Sequence, residues 1–217
     1  DAGSDLTTDE GSPVGLAGTG DAGPGRTIVA YEWDFQYDGV SFNVDANGPK
    51  AVATYSDDGV YVVALRVRDD AGRTAIDTAR VTVKNVAPTA QLSGPTDGVR
   101  GQRLAYTGAF TDPGSADTFT TAWTVVDAAG LTVAAGAGTS FTFVPTEVGT
   151  YTVEFTATDD DGGVGTSIQQ VAISAWALQP DPWLPGKTAL VIGGTTGDDS
   201  LVVNPGGGRA NFKLILN

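Results

Sequence analysis

The chain has 217 residues, with 30 Gly, 11 Pro, a net charge of −14 and a pI near 4.1. It contains no His and no Cys, which excludes Ser-His-Asp and Cys-His nucleophiles and histidine-ligated zinc. Because the charge is acidic and the 12 Lys and Arg are scattered, we expect no binding to nucleic acid. No apolar run is long enough for membrane insertion.

The first elements in chain order are strands, whose apolar residues recur with a two-residue period. The first strand is predicted to bury Val29, Tyr31, Trp33 and Phe35. The second is predicted to bury Tyr61, Val63, Leu65 and Val67, and the third Ala79, Val81 and Val83. An Asp-Asp-x-Gly turn at 69–72 separates the last two. Short alternating strands separated by turns are typical of a β-sandwich.

The sequence repeats itself at a shift of 90 residues without a gap. Trp33 falls on Trp123, and the segment 59–72 falls on 149–162. A repeat of this kind indicates duplicated modules, each with a core tryptophan. We therefore predict two β-sandwich domains, 1–87 and 88–174.

The last predicted domain, 175–217, differs from the two repeats in composition and periodicity. Its opening "AWALQPDPWLPG" contains three Pro and two Trp without a strand period, which predicts a linker or docking segment. The final strand, 212–216, has little sequence left to pair with, so we expect it to pair with another subunit or with additional sequence. Residues 194–202 resemble one turn of a calcium-binding β-roll, with Thr195 replacing a Gly and Asp199 as a calcium ligand. A β-hairpin with an acidic turn is the alternative.

The motif "YEWDF" at 31–35 and the run from Tyr55 through Gly59 to Gly72 resemble the signature of the polycystic-kidney-disease (PKD) domain. The second copy departs from it, because Thr and Val follow Trp123. The resemblance implies an immunoglobulin-like sandwich that spaces, positions or adheres in secreted and cell-surface proteins.

The same resemblance implies calcium ligands, because some family members bind calcium through Asp near the module ends. Carried over by position, these residues are Asp21, Asp69, Asp112 and Asp159. The composition, 22 Asp against four Glu, is compatible with calcium, although Asp also shapes turns. Turn capping without a metal is the alternative for each residue.

The predicted fold class is all-β, with two tandem immunoglobulin-like sandwiches and a short C-terminal β segment. We expect a non-enzymatic extracellular spacer or adhesion module that has protein or polysaccharide partners. The four glutamates are expected at the surface: Glu10, Glu32, Glu147 and Glu154. One alternative is a filament subunit assembled by strand addition through the tail. Another is a carbohydrate-binding accessory module, in which Trp176, Trp183 or Tyr37 stacks on sugar rings.

Overall fold

A computed structural model describes residues 1–194, together with the backbone of 201–206 and 211–216, and all its regular elements are β-strands. The first repeat contains β1 (Leu6–Asp9), β2 (Pro13–Ala17), β3 (Ile28–Asp34), β4 (Ala46–Asn47), β5 (Lys50–Thr54), β6 (Gly59–Asp69) and β7 (Thr74–Lys84). The second contains β8 (Thr89–Ser93), β9 (Asp97–Val99), β10 (Leu104–Thr111), β11 (Phe119–Val126), β12 (Thr132–Ala137), β13 (Ser140–Phe143), β14 (Gly149–Asp159) and β15 (Val164–Ser174). The tail contains β16 (Trp176–Pro180), β17 (Thr188–Ile192), β18 (Leu201–Gly206) and β19 (Asn211–Leu216).

The first repeat is a sandwich of a five-stranded sheet, ordered β1-β7-β6-β3-β4, and a two-stranded sheet of β2 and β5. Strand β1 runs parallel to β7, with Leu6 opposite Val81. The core joins both sheets, since Leu16 of β2 packs in one cluster with Trp33 and Leu65. The predicted core role of Trp33 is confirmed, because its side chain is fully buried.

The second repeat has the same plan. Its five-stranded sheet is ordered β12-β11-β14-β15-β9, and its three-stranded sheet is ordered β13-β10-β8. Strand β9 runs parallel to β15, with Gly98 opposite Ile173. The core centres on Trp123, whose ring centroid lies 4.7 Å from that of Phe155.

A hydrogen bond in each core reproduces the 90-residue repeat atom for atom. The Trp33 indole N–H donates to the Gly48 carbonyl at 3.0 Å, and the Trp123 indole N–H donates to the Gly138 carbonyl at 2.8 Å. Both the donors and the acceptors are 90 residues apart. The predicted all-β fold with two tandem immunoglobulin-like sandwiches is therefore confirmed.

The prediction that Val29 is buried is wrong. Its side chain is 56% exposed, whereas Trp33 on the same strand is buried. The pairing of β3 with β6 shifts register between Ile28 and Ala30. Such a bulge turns the residue at the irregularity away from the face that strict alternation assigns to it.

Two predictions about the tail are corrected by strand pairing. The segment 175–186 is not only a linker, because Trp176–Pro180 pairs antiparallel with Thr188–Ile192. The final strand also has a partner within the chain, since Asn211–Leu216 pairs antiparallel with Leu201–Gly206. Four residues separate β18 from β19, and a connection of this length is short enough for a hairpin.

Contacts divide the chain into two compact units. The first consists of Asp1–Thr89 with two loops of the second repeat, Thr111–Phe119 and Thr158–Val164. The second consists of Ala90–Phe110, Thr120–Ala157 and Gly165–Asn217. Within the described part of the chain, no helix is long and apolar enough to cross a membrane.

Candidate functional site: an acidic cluster in the first compact unit

Eight carboxylates converge within the first compact unit, and all of them lie at strand ends or in loops. Glu10 directly follows β1, and Asp57 and Asp58 precede β6. The other five come from the two loops of the second repeat that belong to this unit: Asp112, Asp117, Asp159, Asp160 and Asp161. We call these eight residues the acidic cluster.

The carboxylate oxygens of the cluster are close enough to share a cation. In each of four groups of three residues, one oxygen per residue lies within 4.8 Å of the others. The groups are Glu10, Asp57 and Asp117; Asp57, Asp58 and Asp161; Asp112, Asp117 and Asp159; and Asp117, Asp160 and Asp161. Asp117 belongs to three of the four and is therefore the central residue.

Glu10 is the most deeply buried member of the cluster, which corrects the expectation that it lies at the surface. Its side chain is 1% exposed. One oxygen, Oε1, accepts a hydrogen bond from the Val86 N–H at 2.7 Å, whereas Oε2 is buried without a partner. Burial raises the pKa of Glu10, and the nearby carboxylates Asp112, Asp58 and Asp159 raise it further, against the effect of the Val86 bond.

Asp117 carries both of its carboxylate oxygens buried without a hydrogen-bond partner. Desolvation raises its pKa to about 6, with further contributions from Glu10, Asp112 and Asp160. None of the ion pairs formed by the described residues includes a member of the cluster. The negative charges are therefore crowded together without a basic side chain to balance them.

Backbone contacts hold the loops of the cluster in place. The Ala116 N–H donates to the Ser56 carbonyl at 3.1 Å, which ties the loop of Asp117 to that of Asp57. The Asp160 carboxylate accepts the Thr118 N–H at 2.8 Å. These bonds fix the loops independently of the carboxylates that have no partner, so the crowding is built into the fold.

The structure brings two of the predicted calcium ligands together, because Asp112 and Asp159 share a group with Asp117. Asp21 and Asp69 line a different surface groove of the same unit, where the Asp69 carboxylate is bonded to the Arg73 guanidinium at 2.7 Å. Asp199 lies outside the described residues. Calcium binding by these five residues remains a prediction.

The two tryptophans predicted to bind polysaccharide are exposed on the β16–β17 hairpin of the second unit. Trp176 is 54% exposed and Trp183 is 85% exposed. The Asp181 carboxylate accepts the backbone N–H groups of Trp183 and Leu184 at 2.9 and 3.1 Å, which orders the turn. Leu178, Leu184 and Leu190 add exposed apolar surface to the same hairpin.

Six cluster residues were not predicted from the sequence as metal ligands: Glu10, Asp57, Asp58, Asp117, Asp160 and Asp161. The repeat itself contains a signal that could have pointed to them. The second copy keeps the acidic residues of the first copy but lacks the arginines that accompany them there. Arg26 corresponds to Ala116 and Arg73 to Gly163.

The architecture defines a class: tandem all-β, immunoglobulin-like sandwiches in which loops of one repeat join the compact unit of the other. The PKD domain family matches the chain twice, over residues 1–83 and 85–173. The chain therefore belongs to the PKD domain family, as the resemblance predicted. PKD domains are generally non-catalytic modules and occur in extracellular and surface proteins.

No curated protein matches the chain. Dimeric latent PorU from Porphyromonas gingivalis is similar over 78% of this chain and 19% of its own, at 14% identity and a TM-score of 0.34. Bacteroides ovatus SGBP-B, of a mixed-linkage glucan utilization locus, in complex with a mixed-linkage heptasaccharide, is similar over 78% and 42%, at 15% identity and a TM-score of 0.27.

Protocadherin gamma B2 extracellular cadherin domains 3–6 are similar over 82% of this chain and 48% of their own, at 14% identity and a TM-score of 0.35. The chain thus spans less than half the length of each of these three structures. At these TM-scores the similarities carry no argument about function.

Proposed function

We propose that the chain is a non-catalytic spacer or adhesion module of a larger extracellular protein. The observation that carries this proposal is the in-register duplication of a PKD-type sandwich with two separate closed cores. A duplicated fold with its own core in each copy extends a chain by repetition, which is how spacer arrays are built. The partners of such a module would be proteins or polysaccharides.

A mechanical experiment tests the spacer function. The chain is held by tags at its two ends and stretched in an atomic force microscope. We expect two separate unfolding events, each releasing about 300 Å of chain because each repeat has close to 90 residues. Extension without resistance would contradict a load-bearing spacer, and hydrolysis of a glycoside or peptide library by the purified chain would contradict the non-catalytic assignment.

Polysaccharide binding is a second candidate function, favoured by the exposed tryptophans of the β16–β17 hairpin. Flat aromatic rings that protrude into solvent suit stacking against sugar rings. A depletion assay with insoluble polysaccharides should show binding that Trp183→Ala and Trp176→Ala each weaken. Trp123→Phe serves as the control, because Trp123 is buried. Equal binding by all variants would refute a role for the hairpin.

Assembly by strand addition is a third candidate. Its basis is the outer edges of the described tail sheet and not an unpaired final strand. The described tail strands β18 and β19 form a two-stranded sheet, so each has an outer edge that pairs with no other described strand. Such edges can accept a strand from another subunit. Deletion of 188–217 should then lower the oligomeric mass in solution, and an unchanged mass would exclude this assembly.

A further inference from the structure

The two repeats provide an internal comparison for the acidic cluster, because they place aspartates at the same positions of the fold. In the first repeat, the Arg73 guanidinium lies 2.7 Å from the Asp69 carboxylate, and Arg26 lies 3.5 Å from Asp70. Two arginines therefore balance the two carboxylates of this turn. The first copy shows how the fold neutralises the turn with its own side chains.

In the second repeat, the corresponding carboxylates are kept and the arginines are absent. Asp159 and Asp160 stand where Asp69 and Asp70 stand, whereas Gly163 replaces Arg73 and Ala116 replaces Arg26. Gly163 packs directly on the Asp159 carboxylate, so a side chain at this position would collide with it. The geometry thus leaves no room for a replacement arginine beside Asp159.

A second asymmetry between the repeats concerns Glu10. Its counterpart is Arg100, whose guanidinium donates to the Gly193 carbonyl at 3.1 Å. The counterpart of Asp58 is Val148. The fold position of Glu10 therefore does not require a carboxylate, and a charged side chain that is 1% exposed with an unpartnered oxygen is costly.

We propose that the acidic cluster is a calcium-binding centre, with Asp117 as its central ligand and Glu10 as its buried ligand. Oxygens within 4.8 Å of one another fit around one ion, since calcium binds six to eight oxygens at roughly 2.3–2.6 Å. The ion supplies the positive charge that Arg26 and Arg73 supply in the first repeat. It also accounts for the buried oxygens of Glu10, Asp112 and Asp117 that have no partner.

Calcium is preferred over magnesium because of the number and disposition of the carboxylates. Magnesium retains several waters in a strict octahedron and is held through one or two carboxylates. A centre with eight carboxylates from four loop segments offers more oxygens than magnesium uses, whereas calcium binds six to eight of them. The centre includes Asp112 and Asp159, which the family resemblance implied, but its central and buried ligands are different residues.

The test uses the full chain, stripped of metal with a chelator and titrated with calcium chloride in a calorimeter. We expect calcium to bind and to raise the melting temperature, because a ligand bound only by the folded state stabilises it. Asp117→Asn keeps the side-chain volume and should lower calcium affinity by more than about tenfold. The proposal would be overturned if the chain did not bind calcium, or if Asp117→Asn bound calcium as tightly as the unmodified chain. Equal affinity of the chain for magnesium and calcium would also overturn it.

Melting in chelator separates a ligand from a structural residue. If Asp117 is a ligand, Asp117→Asn melts no lower than the unmodified chain without calcium, because it relieves charge crowding, and gains less from added calcium. A lower melting temperature with an undiminished calcium-induced rise would assign Asp117 a structural role only. Glu10→Gln should behave in the same way.

A matched pair of variants uses the repeat itself as the control. Asp160→Asn should weaken calcium binding, whereas Asp70→Asn, at the same fold position beside Arg26, should leave it unchanged. Ala116→Arg reintroduces the missing arginine at an exposed position, so it should reduce calcium affinity. Equal effects of Asp160→Asn and Asp70→Asn would overturn the assignment. The spacer function does not depend on these results, because the mechanical test measures the two cores.

Discussion

Truncation of one core side chain in each repeat gives a quantitative test of the two-core architecture. Leu65 and Phe155 are 90 residues apart, are 1% and 0% exposed, and belong to separate core clusters. Leu65→Ala removes three carbon atoms at about 0.8 kcal/mol each and leaves a cavity, so we expect a loss of about 3 kcal/mol. Phe155→Ala removes a larger side chain and should cost about 4 kcal/mol.

The assay is urea denaturation at fixed calcium concentration, followed by tryptophan fluorescence. Trp33 and Trp123 are each buried in one of the two cores. All variants carry Trp176→Phe and Trp183→Phe, so that only these two core tryptophans contribute to the signal. Val60→Thr is the control on the strand of Leu65, because Val60 is 60% exposed and its replacement should change stability by less than about 0.5 kcal/mol. A loss below about 1 kcal/mol for Leu65→Ala would refute close packing around Leu65. Equal effects of both variants on both transitions would refute separate cores.

Two further predictions concern a glycine and a carboxylate. A Cβ on Gly108 would lie 2.5 Å from the Phe155 ring, so Gly108→Ala should destabilise the chain by about 1–3 kcal/mol in thermal melts. Gly15→Ala is the control, because a Cβ on Gly15 meets open space and should not destabilise the chain. Equal melting temperatures for the two variants would contradict this prediction. Burial raises the pKa of Asp69, but hydrogen bonds from the Arg73 N–H and guanidinium outweigh it, so the folded-state pKa lies below the usual value. The ionised Asp69 carboxylate therefore stabilises the fold above its unfolded-state pKa, and this contribution is lost as the pH falls through its folded-state pKa. Because Asp69→Asn has no such contribution to lose, it should lose less stability than the unmodified chain between about pH 5 and pH 2. Parallel losses in urea titrations would contradict this.

The sandwiches could be predicted from the sequence because their determinants are local and repeated. The two-residue alternation around Trp33 and its recurrence at Trp123 indicate the strands, the core and the duplication. The exposure of Val29 escaped prediction because a bulge interrupts the alternation. The strand Trp176–Pro180 escaped because its proline content and lack of alternation concealed a pairing that depends on β17.

The acidic cluster was only partly predictable, for a different reason. Asp112 and Asp159 were reached through the family resemblance, whereas the burial of Glu10 depends on distant parts of the chain. The Val86 N–H that binds its carboxylate is 76 residues away, and the neighbouring Asp117 lies still farther along the sequence. Composition and periodicity describe single elements, so they carry no information about which loops meet.

The two loops that the second repeat contributes to the first compact unit have a practical consequence for dissecting this protein. A fragment cut at residue 87, at the apparent end of the first repeat, would keep Glu10, Asp57 and Asp58 but lose the rest of the acidic cluster. It would also uncover Gly11, against which Pro113 packs. The smallest fragment that retains the whole acidic cluster must include Asp161. Expression of the first repeat alone would therefore lose five of the eight carboxylates.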